Sequence, residues 1–476
     1  MKTKMKKAVL LILIFGIFIS CEDLVDDINE DPNDIEIDEV DPVLFLNGAQ
    51  LANAVAQGGH LARISGLFSG QLIGYSSLYS NIYGYSISSA ESENAWNRWY
   101  IGVITNVRTI RERAPGDRLL GGISKVIEAH AIGSAASLFG DVPYREVFIE
   151  EIEDPQFDPQ TQVFNDMIDL LESAIVDLNQ AIPRDEVPPF DIYHAGDITK
   201  WIESAYTLQA RYYLQLKDYA NAYTSAQNGI SIPENSMKYI PRGDDDILEG
   251  DKNLFWTILS GSRTGDIGND GSYLMELLDP SNAMYRGNTK TDETARFSYY
   301  AINEGSAAGN FGIIEQFEPQ NLVSFEENSL ILAEAGARTA DFDTGLGHLN
   351  DYRAALNTGF HINTNYDTAA FDYQPYDAAD FQSGGMENQD DVDPTRALLR
   401  EIIEERYVSG FLTYMPFNDV RRLDKSDQDL IVPFPLNTTS ATMNPQRLPY
   451  AESELFANSN GPGQDPGIFV KTPVNQ

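Results

Sequence analysis

The chain has 476 residues, 42% of them hydrophobic, enough to bury a large core. Its formal net charge is −39, which excludes nucleic acid as a natural partner, since that needs a basic surface to displace counterions, and disfavours polyanions. The single cysteine, Cys21, rules out an intramolecular disulfide.

In chain order, Lys2, Lys4, Lys6 and Lys7 precede an apolar run from Ala8 to Ile19. Twelve apolar residues are too few to span a bilayer but suit the core of a secretory signal. Ser20-Cys21 follows at once, so residues 1–20 read as a lipoprotein signal peptide and Cys21 as the lipidation site. Residues 21–41 are acidic and carry Pro32; they read as a tether ahead of the folded region, 42–476.

Apolar spacing then predicts helices over Val43–Val55, Ala95–Ile110, Ile123–Phe139 and Thr161–Leu178. Trp96, Trp99 and Tyr100 share a stripe and read as core. Further helices are predicted from a cap at Thr199 to about Leu216, and over Ala220–Gly229, Ser329–Arg338, Thr344–Leu356 and Pro394–Phe411, the last strong one. Ala205–Gly229 and Leu332–Leu356 each follow the helix–turn–helix plan of a tetratricopeptide repeat, with small residues where two helices must approach; Lys217 stands at the turn where glycine is usual. The expected fold is mostly α, a scaffold of tetratricopeptide-like hairpins in an α-α superhelix with long loop insertions at about 71–92, 240–319, 357–393 and 423–476.

No catalytic constellation is found. The five histidines lack metalloprotease spacing, and no nucleophile elbow or phosphate loop occurs. No cofactor is expected; Ca²⁺ is the one ion considered, at Asp244-Asp245-Asp246 or Asp266–Gly271, and neither stretch has EF-hand spacing. The aromatic-rich insertions are the candidate binding elements. Tyr75, Tyr79, Tyr83 and Tyr85 lie among Gly and Ser, with Asn81 beside them; Trp256, Arg263, Tyr299 and Tyr300 lie in the second insertion. Aromatic faces suit the apolar C–H faces of sugars, while amides and charged groups suit their hydroxyls. Tyrosines packed back onto the helices are the competing reading.

Several stretches in order resemble the SusD/RagB family of outer-membrane nutrient-binding lipoproteins. They are the Cys21 start, Asp31-Pro32-Asn33, Phe139-Gly140-Asp141-Val142-Pro143-Tyr144, the hairpin Ala210–Ala226, and Leu332-Ala333-Glu334-Ala335-Gly336-Ala337-Arg338. Ile402–Tyr407, Phe417–Arg422 and Arg447–Glu454 complete the set, with Ala451 in place of a usual proline. The resemblance implies a protein on the outer face of the outer membrane that captures glycan and passes it to a SusC-like TonB-dependent transporter, breaking no bond. It implies that Asp141 and Pro143 shape a helix end, and that Arg421 and Arg422 pair with acids inside the scaffold. A peptide-binding member, a ligand-free scaffold component and a hydrolase stand beside this reading.

Overall fold

The computed structural model describes residues 40–244, 251–261, 263–302, 312–366 and 369–476. The signal peptide, Cys21 and nearly all of the acidic tether lie outside the described residues. The architecture of the described residues is helical, with four two-stranded antiparallel ribbons among them joining separate segments. Among the described residues no helix is long and apolar enough to cross a membrane.

The predicted helices form, generally longer than their apolar stripes. Leu44–Gly58 packs on a long helical run from Ala90 to Arg113, whose middle, Arg98–Ile104, widens into a π-helix. Trp96, Trp99 and Tyr100 are buried in that run, as their stripe implied. Arg118–Phe139 is buried along almost its whole length, which explains its Gly, Ala and Ser content: small side chains allow close approach from several sides. It packs on Gln160–Asn179, which packs on Ile198–Gln215, and the layering continues through Tyr219–Ala226, Phe325–Thr339, Phe342–Leu356 and Pro394–Ser409.

Several details differ from expectation. The helix expected to be capped at Thr199 is capped two residues earlier, by Asp197, whose carboxylate accepts from the Lys200 amide. Pro394–Ser409 is not the last strong helix: Met415–Leu423 follows, and all of its residues are buried. Its four polar side chains hid it from a reading based on apolar spacing. The insertions also hold short helices, including His60–Phe68 and Ser77–Tyr83 around the first and Leu254–Leu259 and Thr294–Tyr300 in the second.

The tetratricopeptide-like hairpin closes as its small residues imply. Ala210, Leu214, Ala222 and Ala226 meet Ile331 and Ala335 of the neighbouring helix in a compact apolar cluster. Lys217 takes the left-handed conformation a turn glycine would adopt, with φ +63°.

The motifs shared with the family serve this scaffold. Gly140 ends its helix at φ +94°, and the Asp141 carboxylate accepts from the Gln160 amide at 2.8 Å, fixing the start of the next helix. Val142–Pro143 pairs with Phe157–Asp158. The C-terminal motif straps back onto the same helix end: the Leu448 amide donates to Leu138 O at 2.9 Å, and the Tyr450 ring stacks on Phe139.

Three other motifs converge on Glu334. Arg422 grips it with a fork of 2.8 and 2.6 Å, Arg338 reaches it at 3.0 Å, and Arg406 and Arg422 share Asp419 at 2.9 and 2.7 Å. Burial pushes the Glu334 carboxyl up, but Arg422, Arg338 and Arg406 outweigh it and bring it down to about 2. Arg422 thus meets the expectation of an internal ion pair. Arg421 does not: its guanidinium donates to the carbonyls of Ser137 and Phe417 at 2.7 and 3.1 Å and to the Asn418 side chain, with no carboxylate in its hydrogen-bond set. Burial, with Arg447 nearby, lowers its pKa.

Candidate functional site

The first and second insertions are tied together by backbone. Ile73–Gly74 pairs antiparallel with Ile267–Gly268. The Tyr75 amide donates to Asp266 O at 2.8 Å, the Tyr75 hydroxyl to Asp270 O at 3.1 Å, and the Ser76 hydroxyl to the Asp266 carboxylate at 2.5 Å. That hydrogen bond from Ser76 is the main reason the Asp266 pKa lies below the usual range. Glycine at 74 is required sterically, because a Cβ there would strike the Tyr79 carbonyl. The chain then turns into the helix Ser77–Tyr83, entered through Ser77 at φ +51° and left through Tyr85 at φ +65°. Left-handed backbone at a non-glycine residue costs about 1–2 kcal/mol, so the surroundings must hold it. For Tyr85 they do: its hydroxyl accepts from the Asn437 amide at 3.0 Å and its ring meets Phe68 and Phe469 edge to face.

The tyrosines of this loop separate into two roles. Tyr75 is 41% exposed, Asn81 is exposed, and Tyr83 and Tyr85 are half-buried. Tyr79 is only 2% exposed and belongs to the interior. Its hydroxyl accepts from Arg63 Nε at 2.7 Å and lies 3.2 Å from His60 Nδ1, while His60 Nε2 is 2.8 Å from Glu91. Burial lowers the His60 pKa, so the ring is neutral at pH 7. A neutral ring donating from Nε2 to Glu91 leaves Nδ1 to accept from the Tyr79 hydroxyl, so both ring nitrogens are matched. These hydrogen bonds tie the loop to the helix His60–Phe68.

Arg63 also joins the second insertion. Its Nη1 donates to Leu254 O at 3.4 Å and its guanidinium lies over the Phe255 ring. The helix Leu254–Leu259 begins at Asn253, whose side chain accepts from the amides of Phe255 and Trp256. Trp256 is half-buried, with the Lys252 ammonium 5.1 Å from its ring centroid. Arg263 is partly exposed, 3.3 Å from Asp266. Tyr75, Asn81, Tyr83, Tyr85, Trp256 and Arg263 therefore stand on one structure knit from both insertions. His60, Arg63 and Glu91 complete it, and the sequence reading passed over them as site elements. A histidine and an arginine one helical turn apart were the available signal, obscured by the glycines of Gly58-Gly59 and Gly66.

Tyr299 and Tyr300 lie elsewhere. Each is 5% exposed, and both line a cavity of ≈ 390 Å³ that also touches Phe360, His361 and Phe411. Of the nine candidate residues, six thus lie on the joined insertions with some exposure, Tyr79 is buried beneath them, and Tyr299 and Tyr300 line a separate cavity. Of the Ca²⁺ candidates, Asp245 and Asp246 lie outside the described residues; Asp266 is taken up by Ser76 and Arg263. Among the described residues no group of three or more His, Cys, Asp or Glu is arranged to hold a metal.

The fold has solved counterparts. The chain is 17% identical to a chitin-binding SusD homologue from Flavobacterium johnsoniae, with a TM-score of 0.66 over 91% of this chain and 97% of that one. A SusD homologue from Parabacteroides distasonis gives 16% identity and 0.67 over 93% and 98%, and a SusD/RagB family protein from Bacteroides thetaiotaomicron 18% and 0.64 over 88% and 95%. No curated protein matches the sequence. The SusD-like family model, described as starch-binding and associating with the outer membrane, matches residues 32–451. With that match running through scaffold and insertions alike, the chain belongs to the SusD/RagB family, whose members are binding proteins of the outer membrane.

Proposed function

We propose that this protein is a lipid-anchored glycan-capture protein on the cell surface, tethered through Cys21, that delivers oligosaccharide to a SusC-like TonB-dependent transporter and breaks no bond. The observation that carries the reading is the ribbon of Ile73–Gly74 with Ile267–Gly268, which ties the two aromatic insertions together, with Tyr75 and Asn81 exposed and Tyr83, Trp256 and Arg263 half-buried. Rings supply flat contacts for sugar C–H faces, and Asn81 and Arg263 supply donors for hydroxyl oxygens. The chain's net charge of −39 favours a neutral glycan over an acidic one. Contacts of this open kind bind a short oligosaccharide weakly, and repeated engagement along a polymer compensates.

Affinity electrophoresis through gels containing starch, soluble chitin oligomers or an acidic polysaccharide tests the reading. Retardation by a neutral glycan supports it. Retardation by none, with binding of peptides instead, overturns the glycan assignment. Release of reducing ends by the purified protein would overturn the non-catalytic part.

A further inference from the structure

A cleft of ≈ 530 Å³ is lined by one face of the helix Pro394–Ser409 and by the segments 386–389 and 428–433. The helix contributes Ala397, Arg400, Glu401 and Glu404, spaced three and four apart so that they neighbour one another on its surface. Met386, Ile431 and Pro433 add apolar lining. A cleft of this size falls in the range of small-ligand sites.

Its carboxylates outnumber the cations that meet them. Arg286 is shared by four acids: Glu293, Glu401 at 3.0 Å, Glu404 at 2.9 Å and Glu405 at 2.8 Å. Arg296 also serves Glu293 and Glu405, and Arg353 comes only within 4.0 Å of Glu401. Arg400, the one cation lining the cleft, is forked on Asp390 at 2.8 and 2.7 Å, and the Asp429 carboxylate is taken by Arg396. Glu401 is held through Oε1, by Arg286 and the Tyr376 hydroxyl, and Glu404 through Oε1, by Arg286. The Oε2 atom of each accepts no hydrogen bond from the described residues, and neither is shielded from solvent. Glu401 is only 7% exposed, so its free oxygen opens into the cleft that the residue lines. Burial raises the Glu401 carboxyl well above its ordinary range; Arg286 opposes the shift, while Glu387 and Glu404 add to it. The three acids are not arranged to hold a metal, and the apolar lining suits a cation that brings its own stem.

We propose that this cleft is a second binding site, separate from the loop face, for a primary ammonium group on an aliphatic stem, with the ammonium on the free oxygens of Glu401 and Glu404 and the stem against Met386, Ile431 and Pro433. The ammonium supplies the positive charge that Arg286, divided among four acids, does not, and it favours the ionised form of Glu401. A charge-assisted bond to these oxygens is stronger than one from a neutral hydroxyl. Free alkyl amines and lysine side chains share this chemistry.

Isothermal titration of the purified protein with n-butylamine, n-butanol, butyrate, the blocked peptide acetyl-Gly-Lys-Gly-amide and calcium chloride tests the proposal. n-Butylamine is expected to give saturable heat, with n-butanol about tenfold weaker or silent and butyrate silent. Glu404→Gln, at a position 28% exposed, leaves Arg286 its other three carboxylates and is expected to weaken n-butylamine about tenfold. Glu401→Gln should do the same, and Tyr83→Ala, outside the cleft, should leave it unchanged. Binding of the peptide as well would extend the site to lysine side chains; its silence beside a bound n-butylamine would assign the site to free amines. No heat with either amine, equal affinity for n-butanol and n-butylamine, displacement of n-butylamine by Ca²⁺, or binding that survives both substitutions would overturn the proposal. The n-butanol comparison needs no variant, so the test stands even if Glu401→Gln fails to fold.

Discussion

The Glu334 cluster and the Tyr75–Tyr85 loop use polar side chains to opposite ends. Around Glu334 the charges are buried or nearly so and each is paired with another, from three segments apart in sequence. In the loop, Arg63, Tyr79, His60 and Glu91 are matched to one another on the underside, while Tyr75 and Asn81 are exposed and Tyr83 is half-buried. Removing a side chain from the first region should therefore unfold the protein, and removing one from the upper side of the second should alter only what it binds.

Breaking that contrast at its strongest point, Glu334→Ala takes from Arg422 its two-oxygen partner and leaves Asp419 as the carboxylate it shares with Arg406. A loss of about 3–5 kcal/mol is expected, read as a shift in urea unfolding; a loss below 1 kcal/mol would deny the cluster its role. The same residue sets an acid response. Its folded pKa of about 2 lies below its ordinary value of 4.5, so its stabilisation is complete above pH 4.5 and is lost as pH falls towards 2. Integrated over that shift the loss is about 3 kcal/mol. Urea midpoints measured across this range should converge between the parent and Glu334→Gln.

Tyr79→Phe sharpens the distinction within the loop. It deletes only the hydroxyl that Arg63 and His60 share, leaving a buried guanidinium short of an acceptor, and should cost about 1–3 kcal/mol. Tyr83→Ala, four residues on, should cost well under 1 kcal/mol in stability yet weaken glycan binding about tenfold. The smallest effect is expected at Lys217. Glycine there relieves the left-handed backbone but gives up the bond from Lys217 Nζ to Val474 O, so Lys217→Gly should gain at most about 1 kcal/mol, seen as a small rise in thermal midpoint.

The scaffold was largely legible because apolar periodicity and small-residue spacing are local signals; the hairpin around Ala210, Ala222 and Ala226 was readable from spacing alone. What escaped depends on partners distant in sequence. Met415–Leu423 looks too polar to be core until Glu334 supplies the counter-charge for Arg422, and Arg421 was expected to meet an acid but instead meets carbonyls at the end of Arg118–Phe139. In the candidate site, composition marked the right insertions and could not say which rings point out. Tyr79 and Tyr83 stand on the same short helix, four residues apart, and only the location of Arg63 and His60 beneath the loop separates them. Tyr299 and Tyr300 resembled the other candidates in sequence because nothing local records that Gln320–Val323 and Phe411 enclose them.

The most direct test of the central claim is affinity electrophoresis of the parent protein and the Tyr83→Ala/Trp256→Ala double variant in the same glycan-containing gel, with thermal midpoints measured alongside. The account predicts retardation of the parent, its loss in the variant and little change in midpoint. Retardation that survives both substitutions in a folded protein would show that the joined insertions are not where glycan binds.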